Sequence, residues 1–312
     1  MLRGPEDFDS LMELMNYFDT EAKCVAYFQQ RRWGNTPICH HCGHDKAYRF
    51  SDGIRFKCAK CRKPFTVRQG TIFEDSKVPL RKWFIAIYLV TAHKKGISSH
   101  QLARDISVTQ RTAWFMLQRI RHKLGVDNDP NEELEGVVEV DETFVGGKNK
   151  NRHYNKKVKN SQGRSFKDKT PVLGMMQRDG KVKTVVIPNT QGDIIQPILQ
   201  QVVKEGSTVI TDEWMAYKGL DKQYTHHVVN HGSGQYAIGK LIHTNTIEGF
   251  WAWLKRAYNG VYHYMSRKHL QQYAHEVTFR YNTRMMRGSE RLNFALSLDS
   301  GALKYKQLIA NH

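Results

Sequence analysis

Four cysteines in two Cys-x-x-Cys pairs constrain this chain more than any other feature. Cys39 and Cys42 form the first pair and Cys58 and Cys61 the second, with fifteen residues between them. That spacing is the spacing of a zinc ribbon, in which two thiolate pairs on facing hairpin tips close a tetrahedron around Zn²⁺. His40, His41 and His44 crowd the first pair, so a histidine standing in for a cysteine ligand is the alternative. Paired thiols of this kind point to metal binding in a reducing compartment rather than to disulfides. Such a metal is a folding device and not a catalyst. Cys24, the fifth cysteine, reads as a small buried residue.

The ribbon carries Arg49, Arg55, Lys57, Lys60, Arg62 and Lys63, and the whole chain is basic, +18 over 312 residues. An excess of that size calls for a polyanionic partner, most simply nucleic acid. Hydrophobic residues make up 40%, enough for real cores and too many for a disordered chain. The longest apolar run, Trp83–Val90, is too short to span a bilayer and reads as a buried helix. The N-terminus lacks the basic-then-apolar pattern of a signal peptide. A cytoplasmic, nucleoid-associated protein without a membrane partner is the expectation.

Helical periodicity marks residues 7–33, with a second helix opening at Thr20-Glu21. Residues 79–93 form another helix, started by Pro79. Between Ile97 and Lys123 lie a short helix, a tight turn and a second helix capped by Thr109, the layout of a helix-turn-helix. A plain helical hairpin buried in a core is the competing reading. The basic second helix favours DNA contact, with Arg111 and Arg119 as the contacting side chains.

From Gly136 the pattern becomes α/β. Val137–Asp141 and Thr208–Asp212 are strand-like runs that each end in an aspartate. Strands at Val172–Gln177 and Val182–Ile187 are joined by an Asp179-Gly180 hairpin signal. A helix follows near Asp193–Lys204, then a strand at Tyr224–Val229 and a helix at His269–Asn282. The segment Asn245–Arg256 is a helix with Ile247, Trp251, Leu254 and Tyr258 on one apolar stripe. Glu248 and Lys255 lie off that stripe, two turns apart on one face. Two strand-end aspartates and a helical glutamate are what a two-metal phosphoryl-transfer site requires. Glu142 and Glu213 are the neighbouring rivals, and strand alternation turns them to the other face. Glu276 is a second candidate for the third acid. Between Thr143 and Thr170 nine Lys/Arg face one acid. Lys148, Lys150, Arg152, Lys156, Lys157 and Lys159 in this loop would grip DNA backbone, as would Asn245, Lys255 and Arg256 on the helix.

These residues resemble the DDE(K) signature of bacterial insertion-sequence transposases, in the branch with an N-terminal zinc ribbon. The likeness runs through Val140–Lys148, Thr211-Asp212, His243–Trp251 with Lys255, and a tail from Gly260 through Tyr262-His263, Glu276 and Arg280 to Arg284. It departs only in the ribbon, where histidines follow Cys39 in place of the usual proline. The resemblance implies a multidomain α+β chain: a zinc ribbon, a helix-turn-helix, then an α/β ribonuclease-H-like core with a mixed sheet. The implied boundaries are a helical segment at 1–36, the ribbon at 37–70, the helix-turn-helix at 78–126, the catalytic core at 134–290 and a tail at 291–312. It also implies two Mg²⁺ (or Mn²⁺) ions, bridged by Asp141 and completed by Asp212 and Glu248, with Lys255 on a phosphate. The implied partners are duplex DNA, both terminal inverted repeats and target, and a second copy of the chain on that DNA. A non-catalytic regulator, or a structure-specific nuclease on the same core, are the alternatives.

Overall fold

In the computed structural model, residues 8–129, 131–147, 153–159, 165, 167–230, 237–238 and 242–310 are described. They divide into two units, one of residues 8–127 with 285–310, the other of residues 128–284.

The first unit is built on capped helices. Ser10 and Glu13 close a capping box on α1 (Leu11–Tyr17), and Thr20 caps α2 (Glu21–Trp33). The ribbon follows as a three-stranded antiparallel sheet, β1 (Ala47–Arg49), β2 (Arg55–Cys58) and β3 (Pro64–Thr66). Next comes α3 (Leu80–Ala92), whose Trp83–Val90 stretch is buried all round, as the apolar run required. Pro79 sits just before α3 and offers no side-chain cap. Glu21 does that work from α2, accepting the N–H groups of Leu80 and Arg81 at 2.8 and 3.0 Å. The helix-turn-helix is α4 (Ser99–Asp105) and α5 (Gln110–Leu124), with Thr109 capping α5 through the N–H of Thr112.

The C-terminal segment, expected as a tail from residue 291, falls in the first unit. Helix Gly288–Ser297 buries Leu292, Ala295 and Leu296 in the first unit. Its Arg291 donates to the Thr91 carbonyl at 2.8 Å, and the Ser289 N–H donates to Phe8. The helical segment, the ribbon and the helix-turn-helix also fall in this unit. An apolar helix face cannot stay in water, and α3, hydrophobic all round, needs cover on every side.

The second unit centres on a five-stranded mixed sheet in the order β6-β5-β4-β7-β8. Its strands are β4 (Val137–Val145), β5 (Thr170–Gln177), β6 (Val182–Val186), β7 (Thr208–Asp212) and β8 (Thr225–Val229). The first three run antiparallel, β7 joins β4 in parallel and β8 joins β7 in parallel. This is the mixed sheet the ribonuclease-H-like resemblance implied. Alternation sends Val138, Val140, Leu173, Met175 and Val209 to one face, where α6 (Gly192–Val202) covers them with Ile195 and Leu199. Val172 and Met176 point the other way, against Ile247, Phe250 and Trp251 of α7 (Asn245–Ala257) and Val277 of α8 (Leu270–Asn282). Glu139, Asp141 and Thr143 share that second face.

Candidate active site and metal centre

The two cysteine knuckles are built alike. In the first, the N–H of Cys39 donates to the His44 carbonyl and the N–H of Gly43 to that of Cys39. In the second, Cys58 donates to Lys63 and Arg62 to Cys58. The fourth residue past each leading cysteine takes positive φ, +71° at Gly43 and +64° at Arg62. The first knuckle is a turn ahead of β1 and not a hairpin tip; the second does lie in the β2–β3 turn. Cys39 and Cys61 sulfurs lie 3.7 Å apart and those of Cys42 and Cys58 3.6 Å. All four sulfurs fall within 4.8 Å of one another. Tetrahedral zinc with bonds of 2.3 Å sets its sulfurs about 3.8 Å apart, so the four thiols fit Zn²⁺. Burial works to raise the Cys58 thiol, yet the N–H groups of Cys61 and Lys60 bring it down to about 6, favouring the thiolate that binds metal. No histidine belongs to this cluster; His41 instead meets the Pro64 carbonyl.

The acids come together at two inner strands of the other unit's sheet, β4 and β7. β4 does not stop at Asp141; it runs on to Val145 beside β5. The parallel ladder with β7 ends at Glu139, however, so Asp141 stands where β4 parts from β7. Asp212 is the last residue of β7, on the same face. Glu248 is in the first turn of α7. Asp141, Asp212, Glu248 and Lys255 all line one cleft of about 440 Å³. Glu142 and Glu213, expected to turn to the other face, also line this cleft, but the Glu142 carboxylate is taken by the hydroxyl of the buried Tyr217. Burial and the neighbouring Glu142 carboxylate push that phenol's pKa well up, so it stays a donor.

Hydrogen bonds orient each acid. The Trp251 indole N–H donates to Asp141 Oδ2 at 2.8 Å. The Trp214 backbone N–H donates to Asp212 Oδ1 at 3.0 Å. The Thr244 hydroxyl donates to Glu248 Oε1 at 3.4 Å. Oxygen donors of this kind suit hard divalent cations such as Mg²⁺ or Mn²⁺. Glu276 is not part of the cleft. It is fully buried and tied to Arg280 and to the Tyr262 hydroxyl.

Two supporting residues were not foreseen. Glu139, 0% exposed, accepts the N–H groups of Thr246 and Ile247 at 2.9 and 3.0 Å. It thereby caps α7 from the sheet and fixes where Glu248 sits, while Arg178 pairs with it at 2.9 Å. Gly174 stands opposite Asp141 in the ladder, and a Cβ there would lie 2.6 Å from the Trp251 ring. Both left a trace in the sequence, a charge inside Val137–Val140 and a glycine inside Val172–Met176.

The expected DNA contacts separate. Arg111, in the first turn of α5, is exposed. Arg119 is not: it is 6% exposed, and its guanidinium donates to the carbonyls of Ile72, Glu74 and Leu303 at 2.8–3.0 Å. The reading of Arg119 as a phosphate contact is corrected, because the C-terminal half of α5 is roofed by residues 298–303. Arg121 and Lys123 are buried with it. Lys157 and Lys159 are exposed, as are Asn245, Lys255 and Arg256, though of the last three only Lys255 lines the cleft. Lys148, Lys150, Arg152 and the Lys156 side chain lie outside the described residues.

Residues 133–282 match the ISXO2-like transposase domain and residues 19–64 the transposase zinc-ribbon domain. An uncharacterized protein in transposable element ISH50 of Halobacterium salinarum is 31% identical over 292 residues, 89% of this chain and 97% of that one. An uncharacterized transposase-like protein of Haemophilus influenzae is 33% identical over 106 residues, a third of this chain (33%) and 81% of that one. Among solved structures, a pre-cleavage Mos1 transpososome matches across 97% of this chain and 100% of that one, at 12% identity and a TM-score of 0.18, too low to bear on the fold. The chain belongs to the ISXO2-like transposase family. No helix among the described residues is long and apolar enough to cross a membrane.

Proposed function

We propose that this ISXO2-like transposase cuts DNA at the ends of its element and joins the freed 3′-hydroxyl to target DNA, in the cleft held by Asp141, Asp212 and Glu248. One observation carries the reading. Three acids from three different elements, with Lys255 two turns along from Glu248, line a single cleft. Divalent cations bound there supply Lewis acidity, activating the attacking hydroxyl and stabilising the leaving 3′-oxygen. The chain's own part is positioning. Trp251, Trp214 and Thr244 hold one oxygen each of the three acids, so the cation sites stand ready before DNA arrives. Lys255 takes a phosphate beside the scissile bond and sets the strand in line.

Recognition of the inverted repeats falls to the ribbon and to the exposed start of α5, Gln110 and Arg111, the part of such a helix that meets base edges. Lys157 and Lys159 hold backbone. The protein works on duplex DNA in the cytoplasm, as at least a dimer that pairs the two ends.

The test is cleavage and strand transfer on the element's own ends with Mg²⁺ or Mn²⁺. Asp141→Asn, Asp212→Asn and Glu248→Gln should each abolish both steps while end binding survives, since losing one member of such a unit costs orders of magnitude. Lys255→Ala should slow transfer far more than Arg256→Ala, its neighbour outside the cleft. Normal cleavage by Glu248→Gln would falsify the assignment. Cleavage without joining by the wild-type chain would instead mark a nuclease, and binding with neither would mark a regulator.

A further inference from the structure

A second cavity opens beside the acid cleft and shares Thr143 and Lys255 with it. It measures about 580 Å³, within the range of small-molecule sites, roughly 300–1,000 Å³. We infer that it is a subsite for one unstacked nucleotide of the DNA strand, next to the phosphate held at the acids, with the base against Tyr258 and the backbone against Lys169. The inference rests on the DNA chemistry proposed for the acid cleft.

Charge is the first ground. The acid cleft is lined by five carboxylates and one lysine. The second cavity has no acid among its lining residues; its charged groups are Lys169 and Lys255, with His263 beside them. A strand running from one to the other passes from a place for cations to a place for phosphate.

The floor is the second ground. It is Gly146-Gly147, where β4 gives out. A Cβ on Gly146 would fall 2.6 Å from the Asp168 carbonyl, so the backbone there lies flat against the start of β5. A Cβ on Gly147 would reach the Tyr258 hydroxyl at 3.9 Å. The floor therefore carries no side chain, and Tyr258 faces that bare backbone. Tyr258 brings its hydroxyl end to that space, and an aromatic side chain lining a cavity offers a platform on which any base can stack.

The third ground is the wall opposite. α7 does not simply end; Tyr258–Tyr262 widens into a π-turn, which closes at His263 with φ +57°. Single π-turns in α-helices cluster at functional sites. This one sets Asn259 and His263 into the cavity wall, where amide and imidazole can meet a base edge. It is held from behind by Tyr262, whose hydroxyl donates to the buried Glu276.

The experiment is photocrosslinking of the full-length protein on a duplex carrying the element's own end. 5-Iododeoxyuridine replaces, one position at a time, the three nucleotides on either side of the cleaved phosphate. Asp141→Asn protein keeps the DNA intact during irradiation, and mass spectrometry identifies the crosslinked residue. One position should crosslink to Tyr258 or His263. On the same background, with the DNA saturated by protein, Tyr258→Phe should keep that yield, while Tyr258→Leu and Lys169→Gln lower it about tenfold, with thermal melting close to the parent. Crosslinks confined to other segments, or yields unchanged in Tyr258→Leu and Lys169→Gln, would overturn the subsite. If the wild-type chain fails to cleave, the reaction assigned above falls, and the crosslink map on bound DNA still decides the subsite by itself.

Discussion

The indole nitrogen of Trp251 lies 2.8 Å from Asp141 Oδ2, and the ring that carries it rests over Gly174, the residue opposite Asp141 in the ladder. A residue of the helix core thus also aims an acid of the cleft. Trp251→Phe should keep the packing and lose the N–H. A hydrogen bond to a charged group is worth roughly 1.5–3 kcal/mol, so cleavage should slow by about ten- to a hundredfold, with a modest fall in melting. An unaltered cleavage rate in Trp251→Phe would show that Asp141 is oriented by other contacts.

Gly174→Ala tests the same relationship from the sheet side. The added methyl would press into the ring at 2.6 Å, and overpacking of this kind costs about 1–3 kcal/mol. Thermal melting should drop, and cleavage should drop with it because Trp251 is displaced. Wild-type melting in Gly174→Ala would mean that the ring moves aside freely.

Glu139→Gln should destabilise the catalytic unit from a buried position. The substitution leaves Arg178 without its anionic partner and weakens the cap on α7. Breaking an ion pair buried on one side costs about 3 kcal/mol. Urea titration should show the midpoint fall, with hydrogen exchange rising first at Thr246 and Ile247. Unchanged exchange at those two amides would contradict the capping role.

Arg111→Ala and Arg119→Ala should separate binding from folding. The first removes an exposed charge; end binding should weaken and lose part of its salt dependence, with stability within about 0.5 kcal/mol of wild type. The second strands three carbonyls, so it should destabilise by about 2–4 kcal/mol. Filter binding and denaturant titration of the two variants side by side give the answer.

Lys123 predicts a pH dependence. Burial lowers its pKa from 10.5 to about 8. Between those values the unfolded chain holds a proton that the folded chain has released, so stability rises with pH across that window. Below about 8 both states are charged and the cost of burying the ammonium, on the order of 3 kcal/mol, is felt in full. Lys123→Met removes the titration. The stability difference between variant and wild type should therefore shift in favour of wild type from pH 8 to 10, and a difference that stays constant would contradict it.

Zinc removal should unfold the ribbon. Metal analysis should find about one zinc per chain, and a strong chelator or Cys58→Ser should erase the protection of β1–β3, since structural zinc contributes folding energy directly. Retention of that protection in metal-free protein would refute the assignment.

Local chemistry was legible in the chain. The cysteine spacing, the Thr20 and Thr109 caps and the Asp179-Gly180 turn each act over a few residues, and the folded chain keeps them all. Asp141, Asp212, Glu248 and Lys255 were singled out by strand ends, helix faces and the resemblance together, whereas alternation alone did not keep Glu142 and Glu213 out of the same cleft. What only the tertiary structure decided involves contacts between segments far apart in sequence. No local rule separates Arg111, left in water, from Arg119, drawn in by carbonyls 47 and 184 residues away. Nor could periodicity tell that Trp251 would spend its one polar atom on Asp141, or that Glu139 would cap a helix 107 residues downstream. A sequence states which groups need partners; the packing of the sheet and helices decides which partners lie within reach, because buried polar groups must pair and hydrogen bonds act only over about 3 Å.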